Sequence, residues 1–281
     1  MRVNRSWLAP FVILSIGLVT SAHAQRVQLR LAPDVGLVSS YTMTNDMFVE
    51  SAMMPMASPD MPMVHQSIQM TQKVTAANGN TREIEVILDS VSMEMPMMGG
   101  QMPGMPNLNG TRSVMTMDTR GTVLSTEVTG DSLPAMVREV AGQMSNGMAG
   151  IGFNFPEDPV RPGESWDASQ DFTIPGGGAS GSREVTTTLD AEYRLERVEN
   201  NGGAQHAVIA FEGVLAQTTM SNPMMGEMGI SGTMSGEMTV DLDRGRLVNS
   251  AMKMVMDGTL QTGGEANTFK MTMDMKMELA K

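Results

Sequence analysis

The residues of this chain with chemistry to offer are its methionines, 33 of 281 positions. They occur in two settings, and the setting decides the chemistry. One group crowds stretches rich in Gly and Pro. Met53-Met54-Pro55-Met56 is followed by Met61-Pro62-Met63, with His65 two residues on. Met93, Met95, Met97, Met98, Met102 and Met105 form a second crowd, and Met220, Met224, Met225 and Met228 a third. Thioethers are soft, neutral ligands suited to Cu(I) or Ag(I), and three in a flexible loop can converge on one ion. Met53, Met54, Met56, Met61, Met63 and His65 are the candidate copper ligands. The competing explanation is that these stretches are apolar lids folded over the mouth of a sheet.

The second group stands in strict alternation with polar residues. Met115, Met117, Met252, Met254, Met256, Met271, Met273 and Met275 would share one inner face of a curved sheet. Unbranched thioethers reshape around different molecules, so such a face suits a lipid, an acyl chain or another apolar small molecule. These eight are the candidate ligand-binding residues. The same side chains also supply core bulk in a chain with only 7 Phe, 2 Trp and 2 Tyr. A third role is open: exposed Met-rich loops as contact patches of an interaction protein with no small ligand.

Other chemistry is sparse. There is no cysteine, which removes disulfides, thiolate metal sites and cysteine nucleophiles. Of 3 histidines, His23 falls in a leader and His65 and His206 remain, neither with a suggestive neighbour. No G-x-S-x-G elbow, phosphate loop, dinucleotide fingerprint or H-E-x-x-H occurs. Asp241 and Asp243 flank Leu242 and read as turn chemistry beside Arg244. Gly176-Gly177-Gly178 precedes no helix and makes no phosphate cradle. The expectation is a binding protein, not an enzyme, with no resident cofactor. A formal charge of −12 argues against nucleic acid as a partner.

The elements that must position these residues are strands. From Thr268 to Leu279 the chain alternates without error, and Val185 to Glu196 does the same. Shorter matches are Ile68/Met70, Ile84/Val86/Leu88, Ala207/Ile209/Phe211 and Met238/Val240/Leu242. Glycine-bearing turns separate them at Asn78-Gly79, Arg120-Gly121, Asn201-Gly202, Arg244-Gly245 and Asp257-Gly258. One helix is predicted near 133–149, with Leu133, Met136, Val137, Val140, Ala141 and Met144 on its apolar face and Asp131 or Ser132 as cap. Four features recur at a near-constant offset, among them Asn78-Gly79 with Asn201-Gly202 and Arg120-Gly121 with Arg244-Gly245. The reading is all-β: curved antiparallel sheet, as one barrel or paired half-barrels, built from duplicated β-meander halves over 25–150 and 151–281. An outer-membrane barrel fits poorly, since aromatics are 4% of the chain and girdles need them; an integral membrane protein is not expected.

Residues 1–24 read as a secretory leader. Arg2 and Arg5 precede the apolar stretch from Trp7 to Val19, and Ala22-His23-Ala24 fits a cleavage site before Gln25. The expected location is periplasmic or extracellular.

The phrase Phe155-Pro156-Glu157-Asp158-Pro159-Val160-Arg161-Pro162-Gly163-Glu164-Ser165-Trp166 resembles one carried by an uncharacterised family of exported bacterial β-rich proteins. The strand from Gly36 to Met43 is loosely similar to that family's N-terminal strand. The resemblance implies a β fold and export, and no activity. In style it is also similar to periplasmic lipoprotein carriers of the half-barrel type, which implies binding of acyl chains. The M-x-M and M-x-x-M spacings resemble the Met motifs of periplasmic copper-handling proteins.

Overall fold

Alternation along so many segments leaves the chain little choice but strands with one dry face. The computed structural model describes residues 26–51, 60–101, 106–130, 133–138, 140–142, 153–174, 185–222, 226–262 and 265–280. The predicted leader and cleavage site and Met53, Met54 and Met56 lie outside them.

Twelve strands form one antiparallel sheet. The first half supplies β1 (Val38–Ser51), β2 (Val64–Asn78), β3 (Thr81–Met95), the two-residue β4 (Gly100–Gln101), β5 (Arg112–Asp118) and β6 (Val123–Thr129). The second supplies β7 (Ser165–Ile174), β8 (Val185–Asn201), β9 (Ala204–Asn222), β10 (Gly226–Asp241), β11 (Arg246–Thr262) and β12 (Glu265–Leu279). The order is β6-β5-β3-β2-β1-β12-β11-β10-β9-β8-β7, with β4 beside β3. Each half is a meander of neighbours in sequence. The seam between the halves is β1 against β12, in register from Tyr41 opposite Leu279 to Ser51 opposite Phe269.

The sheet does not close. β6 and β7 are its two edges, and no pairing joins them among the described residues. The all-β, curved antiparallel expectation therefore holds, in the form of one continuous sheet and not a sealed barrel. Irregularities at Gln69/Met70, Val74/Ala76, Thr116/Met117, Leu195/Arg197, Ile230/Gly232 and Thr239/Val240 add local bend and twist. The predicted helix is present as a short element, helical at 135–138 and 140–142. Ala141 is fully buried, and Val137 and Val140 pack on the core, whereas Met136, expected on the apolar face, is exposed. Among the described residues no helix is long and apolar enough to cross a membrane.

The inner face is plugged at one end by two extended segments that belong to no meander. Val27 bridges Val160, burying Leu29, Leu31 and Phe155 between the halves. Their polar groups are satisfied in place. Arg30 donates to the carbonyls of Pro156 and Glu157, at 2.7 and 2.8 Å. Arg120 donates to Phe155 O at 2.6 Å and to Asn154 Oδ1 at 2.8 Å. Trp166 donates its indole N–H to Asn154 O at 3.0 Å. The plug also passes close over the β10–β11 turn. Gly245 has φ of +59°, and a Cβ there would stand 2.7 Å from the Ala32 amide nitrogen. Glycine alone suits both the left-handed backbone and the close approach.

Candidate functional site

One cross-strand row on the inner face explains where free space remains. It runs Gln66, Asn45, Met275, Met252, Gly236, Phe211, Tyr193, Trp166 from β2 to β7. At the second-half end the row is aromatic. Trp166 stacks on Tyr193 with centroids 5.6 Å apart, and Tyr193 meets Phe211 at 5.8 Å. Phe211 lies over Gly236, where any Cβ would overlap its ring. Rigid rings on a glycine floor fill that half. Tyr193 is so well buried that its phenol pKa is pushed up to about 12. At the first-half end the row is methionine and amide, and the filling stops.

There the sheet lines a half-open cavity of about 170 Å³. Seven methionines border it: Met43, Met70, Met115, Met117, Met252, Met275 and Met277. Leu31, Pro33 and Phe153 of the plug close its lower end, beside Gly245. Met252 and Met275 face each other across β11 and β12, and Met43 faces Met277 across β1 and β12. In volume it is near the roughly 150 Å³ engineered cavity that accepts benzene. It has room for one ring or a short stretch of acyl chain.

Polar groups reach this apolar space at a few points. Gln72, Ser113, Thr126, Arg246 and Ser250 border it. Gln72 Nε2 leans on the sulfur of Met70 at 3.7 Å. Tyr41 donates its hydroxyl to Leu247 O at 3.0 Å, and burial pushes its pKa up. Arg246 donates from Nη1 to Ser39 Oγ at 3.1 Å, while its Nε lies 3.9 Å from Asp241 Oδ2. Asp241 is 2% exposed. It accepts from the amides of Asp243 and Arg244 and from Arg244 Nη1, at 3.1, 3.0 and 3.1 Å. Burial opposes its charge, yet the hydrogen bonds from Arg244, led by the backbone amide, outweigh that and hold its pKa below the usual value.

The structure brings four of the eight predicted methionines onto the cavity wall: Met115, Met117, Met252 and Met275. Met254 is buried on the same face but away from the wall, between Met234 and Met273 on the neighbouring strands. Met256 and Met273 pack partly buried against the core, and Met271 stands opposite Met256. Met43, Met70 and Met277 also line the wall, outside the eight predicted residues. Met277 belongs to the same alternating run as Met275, so period two alone could have found it. Arg246, following a turn in sequence, gave no such signal.

Of the predicted copper ligands, Met61 is 46% exposed and Met63 half-buried. His65 is on the outer face of β2, its Nδ1 2.6 Å from Asp46 Oδ1 across the strand pair. These residues thus lie away from the cavity. Among the described residues no group of three or more His, Asp or Glu side chains gathers as a metal site. His206 is the third residue of β9, opposite Asp241 on β10.

No family model matches this chain. No curated protein matches it either. Solved structures show a remote similarity to it. One is a structure of lipovitellin whose subject is lipid–protein interactions, with a TM-score of 0.46 and 10% identity. That alignment covers 89% of this chain and 26% of the lipovitellin chain, so this chain spans about a quarter of that protein's length. Another is a DUF1329 family protein from Desulfovibrio piger, with a TM-score of 0.20, 11% identity and 85% of both chains covered. Neither likeness is close enough to carry a function across.

Proposed function

We propose that this protein is an exported, non-catalytic carrier or sensor of an apolar small molecule or acyl chain, held on the methionine side of its curved sheet. The observation that carries this is the cavity of about 170 Å³ bordered by seven methionines, in a sheet whose other half is filled by stacked aromatics. Interiors are packed densely, and the apolar lining of a half-open pocket lacks the contacts that a packed interior gives. A bound apolar group would restore them. Methionine tolerates the change of shape, since its side chain can move to cover the space when it is empty. Neither His65 nor His206 borders the cavity. Export rests on the leader pattern at residues 1–24.

Native mass spectrometry of the protein isolated from its own compartment, without detergent, tests the reading. An added mass of a few hundred daltons, removed by organic solvent, is expected on a chain beginning at Gln25. A bare chain that also fails to take up added octanol would refute it. Steps of the mass of copper, lost to a Cu(I) chelator, would instead favour the loop methionines.

A further inference from the structure

Three buried side-chain atoms among the described residues lack a hydrogen-bond partner: Asn45 Oδ1, Thr126 Oγ1 and Arg246 Nε. They are not scattered. Thr126 and Arg246 border the methionine cavity, and Asn45 stands directly opposite Met275 of its wall. A buried polar atom left unpaired is costly, and native folds keep few. Here they cluster around the one space that the proposed function assigns to a ligand.

Charge sharpens the point. Asp241 is shared between two guanidinium groups. Arg244 holds it at 3.1 Å, while Arg246 Nε is 3.9 Å away, beyond a hydrogen bond. One carboxylate cannot neutralise both. The next carboxylate on that turn, Asp243, accepts from the Gln205 amide at 2.9 Å. Arg246 therefore brings to the plugged end of the cavity a guanidinium whose carboxylate partner is shared with Arg244 and whose Nε makes no hydrogen bond.

We infer that the ligand of this cavity is an amphiphile with a carboxylate head, such as a short or medium-chain fatty acid, whose head pairs with Arg246 and whose tail lies along the methionines. This rests on the apolar-ligand reading and adds the head group to it. A guanidinium pairs well with carboxylate because its fork of donors matches the two oxygens. The tail then runs from the plug toward Met252 and Met275, where the inner face continues past the cavity to Met273 and Met271.

Isothermal titration of the full mature chain with sodium octanoate and with 1-octanol tests this, since the two share a tail and differ in the head. Water holds the free carboxylate far more strongly than the alcohol. A preference for octanoate cannot then come from burying the tail. Octanoate is expected to bind at least about tenfold tighter, on the scale of one charge-assisted hydrogen bond. In Arg246→Met that preference should vanish, and Arg246→Lys should keep part of it. Octanol binding as well as or better than octanoate overturns the inference and leaves the apolar-ligand reading standing. Binding of neither overturns both. Should Arg246→Met fail to fold, the comparison on the native chain decides alone.

Discussion

Met252 and Met254 offer a matched test of the cavity. Both are on β11, both face inward, and they are 7% and 6% exposed. Their neighbours differ. Met252 has Gly236 on one side and Met275 on the other, and borders the cavity. Met254 has Met234 and Met273, and does not. Truncating a buried methionine to alanine costs about 2–5 kcal/mol, and the cost grows with the packing lost. Met252 already lacks contacts on its cavity side, so Met252→Ala belongs near 2 kcal/mol. Met254→Ala, flanked by side chains, belongs near 4 kcal/mol. Urea denaturation reads the difference. With a slope of about 3 kcal/mol per molar, the midpoints should fall by about 0.7 M and about 1.3 M. Saturating 1-octanol should raise the midpoint of Met252→Ala by more than that of the native chain, because the enlarged cavity has more room for it, and raise Met254→Ala only as it raises the native chain. Equal losses for the two variants, or the larger loss at Met252, would refute the picture of an under-packed methionine wall.

Gly245→Ala and Gly79→Ala separate backbone strain from close approach. Both glycines have positive φ, +59° and +56°, but only Gly245 has the plug backbone against it. Gly79→Ala should cost about 1–2 kcal/mol and Gly245→Ala clearly more in the same urea assay. Tyr193 predicts an alkaline limb. Its pKa of about 12 exceeds the unfolded value near 10, so its contribution is full below pH ~10 and is lost as pH rises toward 12. Stability should drop by about 1.4 kcal/mol per pH unit there, and Tyr193→Phe should flatten that limb. Asp241 predicts the opposite limb. Its folded pKa is depressed, so its contribution is present above the unfolded value of about 3.9 and fades as pH falls through the folded one. Asp241→Asn should cost about 1–3 kcal/mol at neutral pH and show a shallower loss on acidification, measured by thermal melts across pH.

Much of the architecture was legible because a strand's pattern is local. The run from Phe269 to Leu279 names its inner face residue by residue, and β12 presents that face. Four of the five predicted glycine turns were equally readable, since Gly79, Gly121, Gly202 and Gly245 carry the positive φ that such turns require, whereas Asp257-Gly258 lies inside β11, where glycine instead makes room for the Phe269 ring of β12. The short helix was visible from the spacing of Val137, Val140 and Ala141, though Met136 turned outward, because helical spacing does not say how wide a stripe its surroundings cover.

Sequence by itself determined which methionines share a face, since side chains alternate along any strand. It could not determine which of them meet a void. That depends on which residue stands opposite on another strand, and on what fills the far side. Met252 borders free space because the aromatic stack ends at Phe211 over Gly236 and only methionine and amide side chains continue the row beyond it; Met254 does not, because Met234 and Met273 crowd it. Arg246 reaches the same space because the plug and the turn at Gly245 bring the start of β11 beneath it. These are contacts between segments tens to hundreds of residues apart, and only the register of the folded sheet sets them.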